Sequence, residues 1–168
     1  MEFRSATEND ASSIHNLFKK CWNISYRDIL SEEVRSNMSD EKVAALWMNA
    51  LATNATRETI VGTEDKLIVG FFRIGQDKEN ENRGHIFSLY VSPELSGHGY
   101  GKLLLSEAIN NLLGRNFREI SLWVFKENSI AQSLYSQFGF EPTGSERVTA
   151  AWGAVEIEML KTVINPKS

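Results

Sequence analysis

The stretch that decides the fold covers residues 86–101 and reads IFSLYVSPELSGHGYG. It starts as an apolar run and passes directly into the helical pattern of residues 102–109, which predicts a strand, a tight turn and a helix. Three glycines at alternate positions let backbone N–H groups converge, and the helix N-terminus behind them adds unpaired donors and a positive dipole end. The segment therefore predicts a phosphate or pyrophosphate site built on Gly97, Gly99 and Gly101.

Two common phosphate-binding patterns do not fit this turn. The dinucleotide fingerprint G-x-G-x-x-G would require a glycine at Lys102, or a glycine or alanine at Leu104. The P-loop pattern would require its leading glycine at Ser96 and a serine or threonine at Leu103. An unliganded turn is the alternative interpretation, although such a turn rarely needs three glycines.

Two blocks of the sequence resemble the signatures of one family, the Gcn5-related N-acetyltransferases (GNAT). Val91-x-Pro93-x-x-Ser96-x-x-Gly99-x-Gly101 is similar to its acetyl-CoA signature, V-x-P-x-x-[QR]-x-x-G-x-[GA]. Residues 128–140 are similar to its N-x-x-A-x-x-L-Y-x-x-x-G-F block, and residues 3–11 and 22–30 resemble its N-terminal strand and W-x-x-x-Y stretch. Ser96 departs from the preferred Gln or Arg, which affects a side-chain contact and leaves the backbone cradle intact.

The resemblance implies an α/β fold with a mixed, largely antiparallel sheet, flanking helices and a splayed central strand pair, in a single domain over residues 1–168. The spacing of the apolar residues and the positions of residues that end helices and strands independently predict a matching order of elements. Residues 76–83 are predicted to form a solvated hairpin tip. The predicted strands are 2–6, 58–63, 66–74, 84–91, 119–125, 140–149 and 153–162, and the predicted helices are 9–22, 31–37, one capped by Asp40, 101–113 and 129–138.

Acetyl-CoA is the co-substrate that the resemblance implies. Backbone groups at the end of the central strand would face the pantetheine arm and the thioester, and the glycine turn would hold the phosphates. His98 and Lys102 are candidates for phosphate contacts, and Asn128 is a candidate for a pantetheine contact or a helix cap. The expected contact residues are Leu89, Tyr90, Val91, Ser96, Gly97, His98, Gly99, Tyr100, Gly101, Lys102 and Asn128.

Two residues are candidates for the proton transfers of amine acetylation. Tyr135 matches the tyrosine of the second block and is the expected general acid, although it could instead only pack in the core. His85 lies six residues before Val91, where some members carry a glutamate, and it is expected to act as a base that titrates near pH 6–7. A histidine with no role, and a water chain in place of a base, are the alternatives. Trp22 and Tyr26 are expected at the acceptor site.

Composition limits the classes of partner. The net charge of −4 argues against nucleic-acid binding and suits a cationic amine. The single cysteine, Cys21, fits a reducing compartment, and no apolar stretch is long enough to span a membrane, so a cytoplasmic protein is expected. No metal site is predicted, and a homodimer is common among similar proteins.

The expected reaction is direct acetyl transfer from acetyl-CoA to a primary amine of a small molecule in a ternary complex. No residue resembles an activated nucleophile that would carry the acetyl group. Two other functions stay open at this point: acetylation of a protein N-terminus or lysine, and a non-catalytic sensor that binds acyl-CoA.

Overall fold

A computed structural model describes residues 1–52 and 56–163 of the 168-residue chain. None of the helices in these two ranges is long and apolar enough to cross a membrane. In chain order the elements are β1 (Glu2–Ser5), α1 (Ala11–Ile24), α2 (Glu32–Ser36), α3 (Asp40–Leu51), β2 (Arg57–Glu64), β3 (Leu67–Gln76), β4 (Arg83–Val91), α4 (Tyr100–Gly114), β5 (Glu119–Phe125), α5 (Ser129–Gln137), β6 (Glu141–Val148) and β7 (Val155–Thr162).

The strands form one sheet in the order β1-β2-β3-β4-β5-β7-β6. Every neighbouring pair is antiparallel except β4 and β5, which are parallel. The long connection through α4 permits that parallel pair, because parallel neighbours need a crossover rather than a tight turn. This arrangement confirms the predicted α/β class with a mixed, largely antiparallel sheet.

Each face of the sheet carries its own hydrophobic core. Helices α4 and α5 cover one face, where Leu104, Leu105 and Leu112 are fully buried against β3, β4 and β5. Helices α1 and α3 cover the other face, where Phe18 and Trp47 pack with the strand residues. Side chains from both faces of the sheet could therefore contact a ligand that lies between β4 and β5.

Several predicted boundaries were wrong for local reasons. Helix α3 is capped by the Ser39 hydroxyl, which accepts the N–H of Lys42, so Asp40 is its first residue and not its cap. The β2–β3 turn falls at Asp65 and Lys66, which both have positive φ, so β2 ends one residue later and β3 begins one residue later than predicted. Helix α4 continues through Gly114, one residue beyond its predicted end, and the left-handed residue that follows it is Asn116.

Candidate active site

The parallel strands β4 and β5 separate toward their carboxyl ends. They pair over four residues, from Arg83 opposite Glu119 to Ile86 opposite Leu122. Beyond that point β5 continues to pair with β7 and β4 continues to pair with β3. The predicted splay is therefore present, and it leaves main-chain groups of β4 and β5 facing each other across a gap.

The glycine turn closes the end of this gap with unpaired donors. Gly97 and Gly99 both have positive φ, at 81° and 84°, and Gly99 is the residue before helix α4. Among the described residues, no acceptor bonds to the N–H groups of Gly97, Gly99, Tyr100 or Gly101. A Cβ added at Gly97 or Gly99 would meet no atom within 4 Å, so the space beside the turn is open. The arrangement fits an anion the size of a phosphate.

Three tyrosines are distributed over the two faces of the sheet. Tyr26 and Tyr90 belong to the α1 and α3 side, with ring centroids 6.3 Å apart, whereas Tyr135 on α5 packs in the other core. Burial raises the pKa of both Tyr26 and Tyr90 above the usual range, and the Tyr135 phenol adds to each increase. The Tyr135 phenol therefore lies close enough to Tyr26 and Tyr90 to affect their ionisation.

Tyr135 is a buried proton donor in this position. Its side chain is 8% exposed, and its ring packs edge-on against Phe140 at 6.0 Å. Burial raises the pKa of Tyr135 to about 12, so the phenol stays protonated at neutral pH. Its hydroxyl makes no hydrogen bond to any residue in the described ranges. Tyr135 thus packs in the core, and its role as the general acid stays a prediction.

His85 lies on the same face of the sheet as Tyr90 because β4 contains a bulge. Arg73 pairs with Ser88 and Ile74 pairs with Ile86, so Phe87 is the extra residue. His85 is 8% exposed, and its Nδ1 lies 2.7 Å from the Ser121 hydroxyl oxygen. Burial lowers the pKa of His85 to about 4, against the opposing effect of Asp77. The sequence-based expectation of an ionisation near pH 6–7 was therefore wrong.

The comparisons with known proteins agree with this geometry. Residues 11–140 match the family model described as the acetyltransferase (GNAT) family. The chain is a member of the GNAT family. A spermidine N(1)-acetyltransferase of Thermoplasma acidophilum is 26% identical to this member over 84% of the chain and 88% of the relative.

Solved structures show the same fold. The PaiA N-acetyltransferase of Thermoplasma acidophilum, solved in complex with coenzyme A, superimposes with a TM-score of 0.77 at 23% identity, covering 96% of this chain and 98% of that one. The yncA protein of Salmonella typhimurium, solved with its cofactor acetyl-CoA, gives a TM-score of 0.72 at 16% identity over 100% and 96%. This GNAT protein is thus an enzyme of the N-acetyltransferase type.

The other residues that were expected to contact the cofactor lie at the start of α5, beside the glycine turn and between α4 and α5. Asn128 caps α5, since its side-chain oxygen accepts the N–H of Ala131 at 3.1 Å. The side chains of Ser96, His98 and Lys102 are exposed beside the turn, and His98 Nδ1 lies 3.1 Å from the Ser96 carbonyl oxygen. Gly101 lets α4 approach α5, because a Cβ there would lie 3.3 Å from Leu134.

The α1 and α3 side of the sheet carries a group of aromatic rings next to Tyr90. Trp22 is buried and lies 4.9 Å from Trp152, ring centroid to ring centroid, and 6.0 Å from Tyr26. Tyr26 in turn packs edge-on against Phe125 at 5.1 Å. These four residues, Trp22, Tyr26, Phe125 and Trp152, are called the aromatic wall below. Phe125 was not predicted, because nothing in β5 marks which of its residues face the gap.

Cys21 is a core residue, as its sequence context favoured. Its side chain is 2% exposed, and its thiol donates to the Val91 carbonyl at 3.2 Å. Burial raises the pKa of the Cys21 thiol to about 12, with a further contribution from Glu94. A thiol with this pKa carries almost no thiolate at neutral pH and is a poor nucleophile.

The low pKa of His85 predicts a pH-dependent stability. An unfolded histidine titrates near 6.5, so below that pH the unfolded state binds the proton more readily than the folded state. The stabilisation is full above pH 6.5 and is lost as the pH falls toward 4, by roughly 3 kcal/mol in total. Urea unfolding at pH 7 and pH 4 should show His85→Gln losing less stability than the unaltered protein. The exposed His98→Gln serves as the control, and equal losses in all three proteins would contradict the prediction.

Proposed function

We propose that this GNAT protein transfers the acetyl group of acetyl-CoA directly to a primary amine of a small molecule. The observation that carries the proposal is the opening between β4 and β5, with free backbone donors at one end; the buried, protonated Tyr135 phenol on α5 supports it. Acetyl-CoA would supply an activated thioester. The residues around the gap supply the binding groups and the sites that give and take protons.

The cofactor fits the gap by its chemical character. The unpaired N–H groups of the glycine turn and the positive end of helix α4 suit the pyrophosphate. The unpaired edges of β4 and β5 suit the amide groups of the pantetheine arm, which can bond to them as an added strand would. Of the predicted contacts, Leu89, Tyr90 and Val91 lie on the open part of β4. The loop side chains Ser96, His98 and Lys102 would add at most solvent-exposed contacts to phosphate.

Two proton transfers are assigned to Tyr135 and His85. Tyr135 would donate its phenolic proton to the departing thiolate sulfur, and its raised pKa means that this proton is present throughout the neutral range. His85 would accept the proton that the amine nitrogen loses as its bond to the acetyl carbon forms. The nitrogen becomes more acidic at that moment, so a weakly basic imidazole is sufficient. The ammonium form of the acceptor is deprotonated by solvent before the attack.

The aromatic wall supports a cationic small-molecule acceptor. Ring faces attract ammonium groups, and such contacts contribute about 1 kcal/mol or more when they exclude water. A diamine would keep one amine charged at the wall while its other amine attacks as the free base. The relative named as a spermidine N(1)-acetyltransferase supports this class of acceptor.

Thiol release from acetyl-CoA with a panel of amines tests the proposal. The panel contains diamines and polyamines, amino acids, aminoglycosides and peptides with a free N-terminus or lysine, and calorimetry measures acetyl-CoA binding separately. Turnover with diamines or polyamines supports the proposal. Turnover only with peptides would instead identify a protein acetyltransferase, and tight binding without turnover on any amine would identify a sensor.

Removing one ring of the aromatic wall should weaken acceptor binding alone. For Trp152→Ala we expect the KM of a diamine to rise roughly tenfold, which corresponds to about 1.4 kcal/mol of lost cation–π and packing energy. The turnover number and the acetyl-CoA affinity should stay the same, since Trp152 lies away from the glycine turn. Trp152→Phe retains a ring and should restore most of the loss. An unchanged KM in Trp152→Ala would exclude the wall as the acceptor site.

A further inference from the structure

A buried chain of hydrogen bonds connects Asp77, Ser121 and His85. The Ser121 hydroxyl donates to Asp77 Oδ2 at 2.6 Å, and His85 Nδ1 lies 2.7 Å from the same hydroxyl oxygen. Ser121 is fully buried, and the side chains of Asp77 and His85 are about a tenth exposed. Residue 77 was predicted to lie in a solvated hairpin tip, which was wrong for this side chain.

The carboxylate at one end of the chain is ionised and fixed in orientation. Burial acts to raise the pKa of Asp77, but hydrogen bonds from Ser121 and from the Glu79 N–H, together with His85 and Arg83, lower it overall. The Glu79 N–H donates to Oδ1 at 2.9 Å, which leaves Oδ2 for Ser121. An ionised carboxylate only accepts hydrogen bonds, so the single Ser121 proton must point toward Asp77.

We infer that Asp77 and Ser121 are positioning residues that hold His85 in the Nδ1–H tautomer and leave the lone pair of Nε2 as its proton acceptor. With its proton committed to Asp77, Ser121 can only accept from the histidine, so Nδ1 carries the hydrogen. The opposite tautomer would set two lone pairs against each other, either between Ser121 and Asp77 or between Ser121 and His85. Nε2 makes no hydrogen bond to the residues that the structure describes.

The charges that face His85 come from four strands. Asp77 at the end of β3 raises the pKa of His85, whereas Arg147 on β6, Arg57 on β2 and Arg83 on β4 lower it. Burial is the largest effect, so the imidazole is neutral at physiological pH and has a definite tautomer. The role of Nε2 in catalysis rests on the proposed function, whereas the tautomer itself does not.

Asp77→Asn should invert the tautomer without changing the shape of the site. The asparagine carbonyl oxygen is the atom that can accept the Glu79 N–H, so it takes the place of Oδ1 and puts the amide nitrogen where Oδ2 was. That nitrogen donates to Ser121, and Ser121 must then donate its proton to His85 Nδ1. The hydrogen moves to Nε2, and the lone pair of this nitrogen is lost as a proton acceptor.

Nitrogen NMR of the histidine-labelled protein tests this assignment. Long-range proton–nitrogen spectra distinguish the two neutral tautomers, and His85→Gln identifies the signals of His85 among the three histidines. We expect the Nδ1–H pattern in the unaltered protein and the Nε2–H pattern in Asp77→Asn. Glu79→Gln removes a charge from the same loop through an exposed side chain and should keep the Nδ1–H pattern. An Nε2–H pattern in the unaltered protein, or an unchanged pattern in Asp77→Asn, overturns the inference.

Turnover measurements separate this inference from the proposed function. If His85 is the proton acceptor, Asp77→Asn should lower kcat about tenfold with little change in the KM of acetyl-CoA. Raising the pH should not rescue it, because the lone pair is on the wrong nitrogen. An inverted tautomer with unchanged kcat would support the assignment of Asp77 and Ser121 and reject His85 as the acceptor.

Discussion

Replacing both Gly97 and Gly99 by alanine should weaken acetyl-CoA binding roughly 100-fold. Both residues have positive φ, which costs a non-glycine residue about 1–2 kcal/mol. The alanine turn would relax in the free protein and would have to regain the strained conformation to present its N–H groups. The two substitutions together should cost about 3 kcal/mol of binding free energy, which raises the dissociation constant by a factor of about 100. Isothermal titration calorimetry with acetyl-CoA measures the effect.

Gly144→Ala combined with Gly153→Ala is the matched control for this experiment. These glycines also have positive φ, and a Cβ at either position meets nothing within 4 Å, but neither lies in the turn before α4. The control pair should lose stability and keep its affinity for acetyl-CoA. Equal affinities in the two double variants would mean that the glycine turn does not hold the phosphates.

Tyr135→Phe should lower kcat roughly 100-fold while acetyl-CoA affinity is nearly retained. The change removes only the hydroxyl, and the ring still packs against Phe140, so the fold and the gap should be preserved. The proton donor for the thiolate is lost with the hydroxyl. Steady-state thiol release and calorimetry on the same preparations measure the two quantities.

The acidity of the leaving thiol provides the control for Tyr135. A thiol that is much more acidic than coenzyme A can leave the acetyl group as a thiolate, without needing a proton. The Tyr135→Phe variant and the unaltered protein should use an acetyl donor with such a thiol at similar rates. If kcat with acetyl-CoA is unchanged in the variant, or if the loss is the same for both donors, Tyr135 is not the general acid.

The phosphate turn could be predicted from sequence because its determinants are local. Glycine spacing, an apolar strand before it and a helical pattern after it fix the backbone geometry within residues 86–109. The resemblance of residues 128–140 to the family's second block made Tyr135 the candidate general acid, and the block carries its own helix cap at Asn128. The start of α3 and the end of α4 were predicted one residue off. At each end two neighbouring residues suit the cap, Ser39 and Asp40 for α3 and Gly114 and Asn116 for α4.

The environment of His85 could not be predicted from its position. Spacing from Val91 selected the residue, but its shifted pKa arises from burial and from charges on strands that are distant in sequence. The bulge at Phe87 also escapes any pattern of alternation, although it decides which face His85 shares with Tyr90. Asp77 carried no signal, since a carboxylate in a polar loop is usually solvated.

The sequence by itself determined the fold class and the glycine turn and made Tyr135 a candidate, because the motifs behind them consist of residues that are close together in the chain. The tertiary structure alone decided where β4 and β5 separate, which aromatic rings form the wall, and how Asp77 and Ser121 orient His85. Those features depend on strand register and on contacts between residues far apart in sequence. Register, burial and the direction of a shared proton are properties of packed neighbours, and no local pattern encodes them.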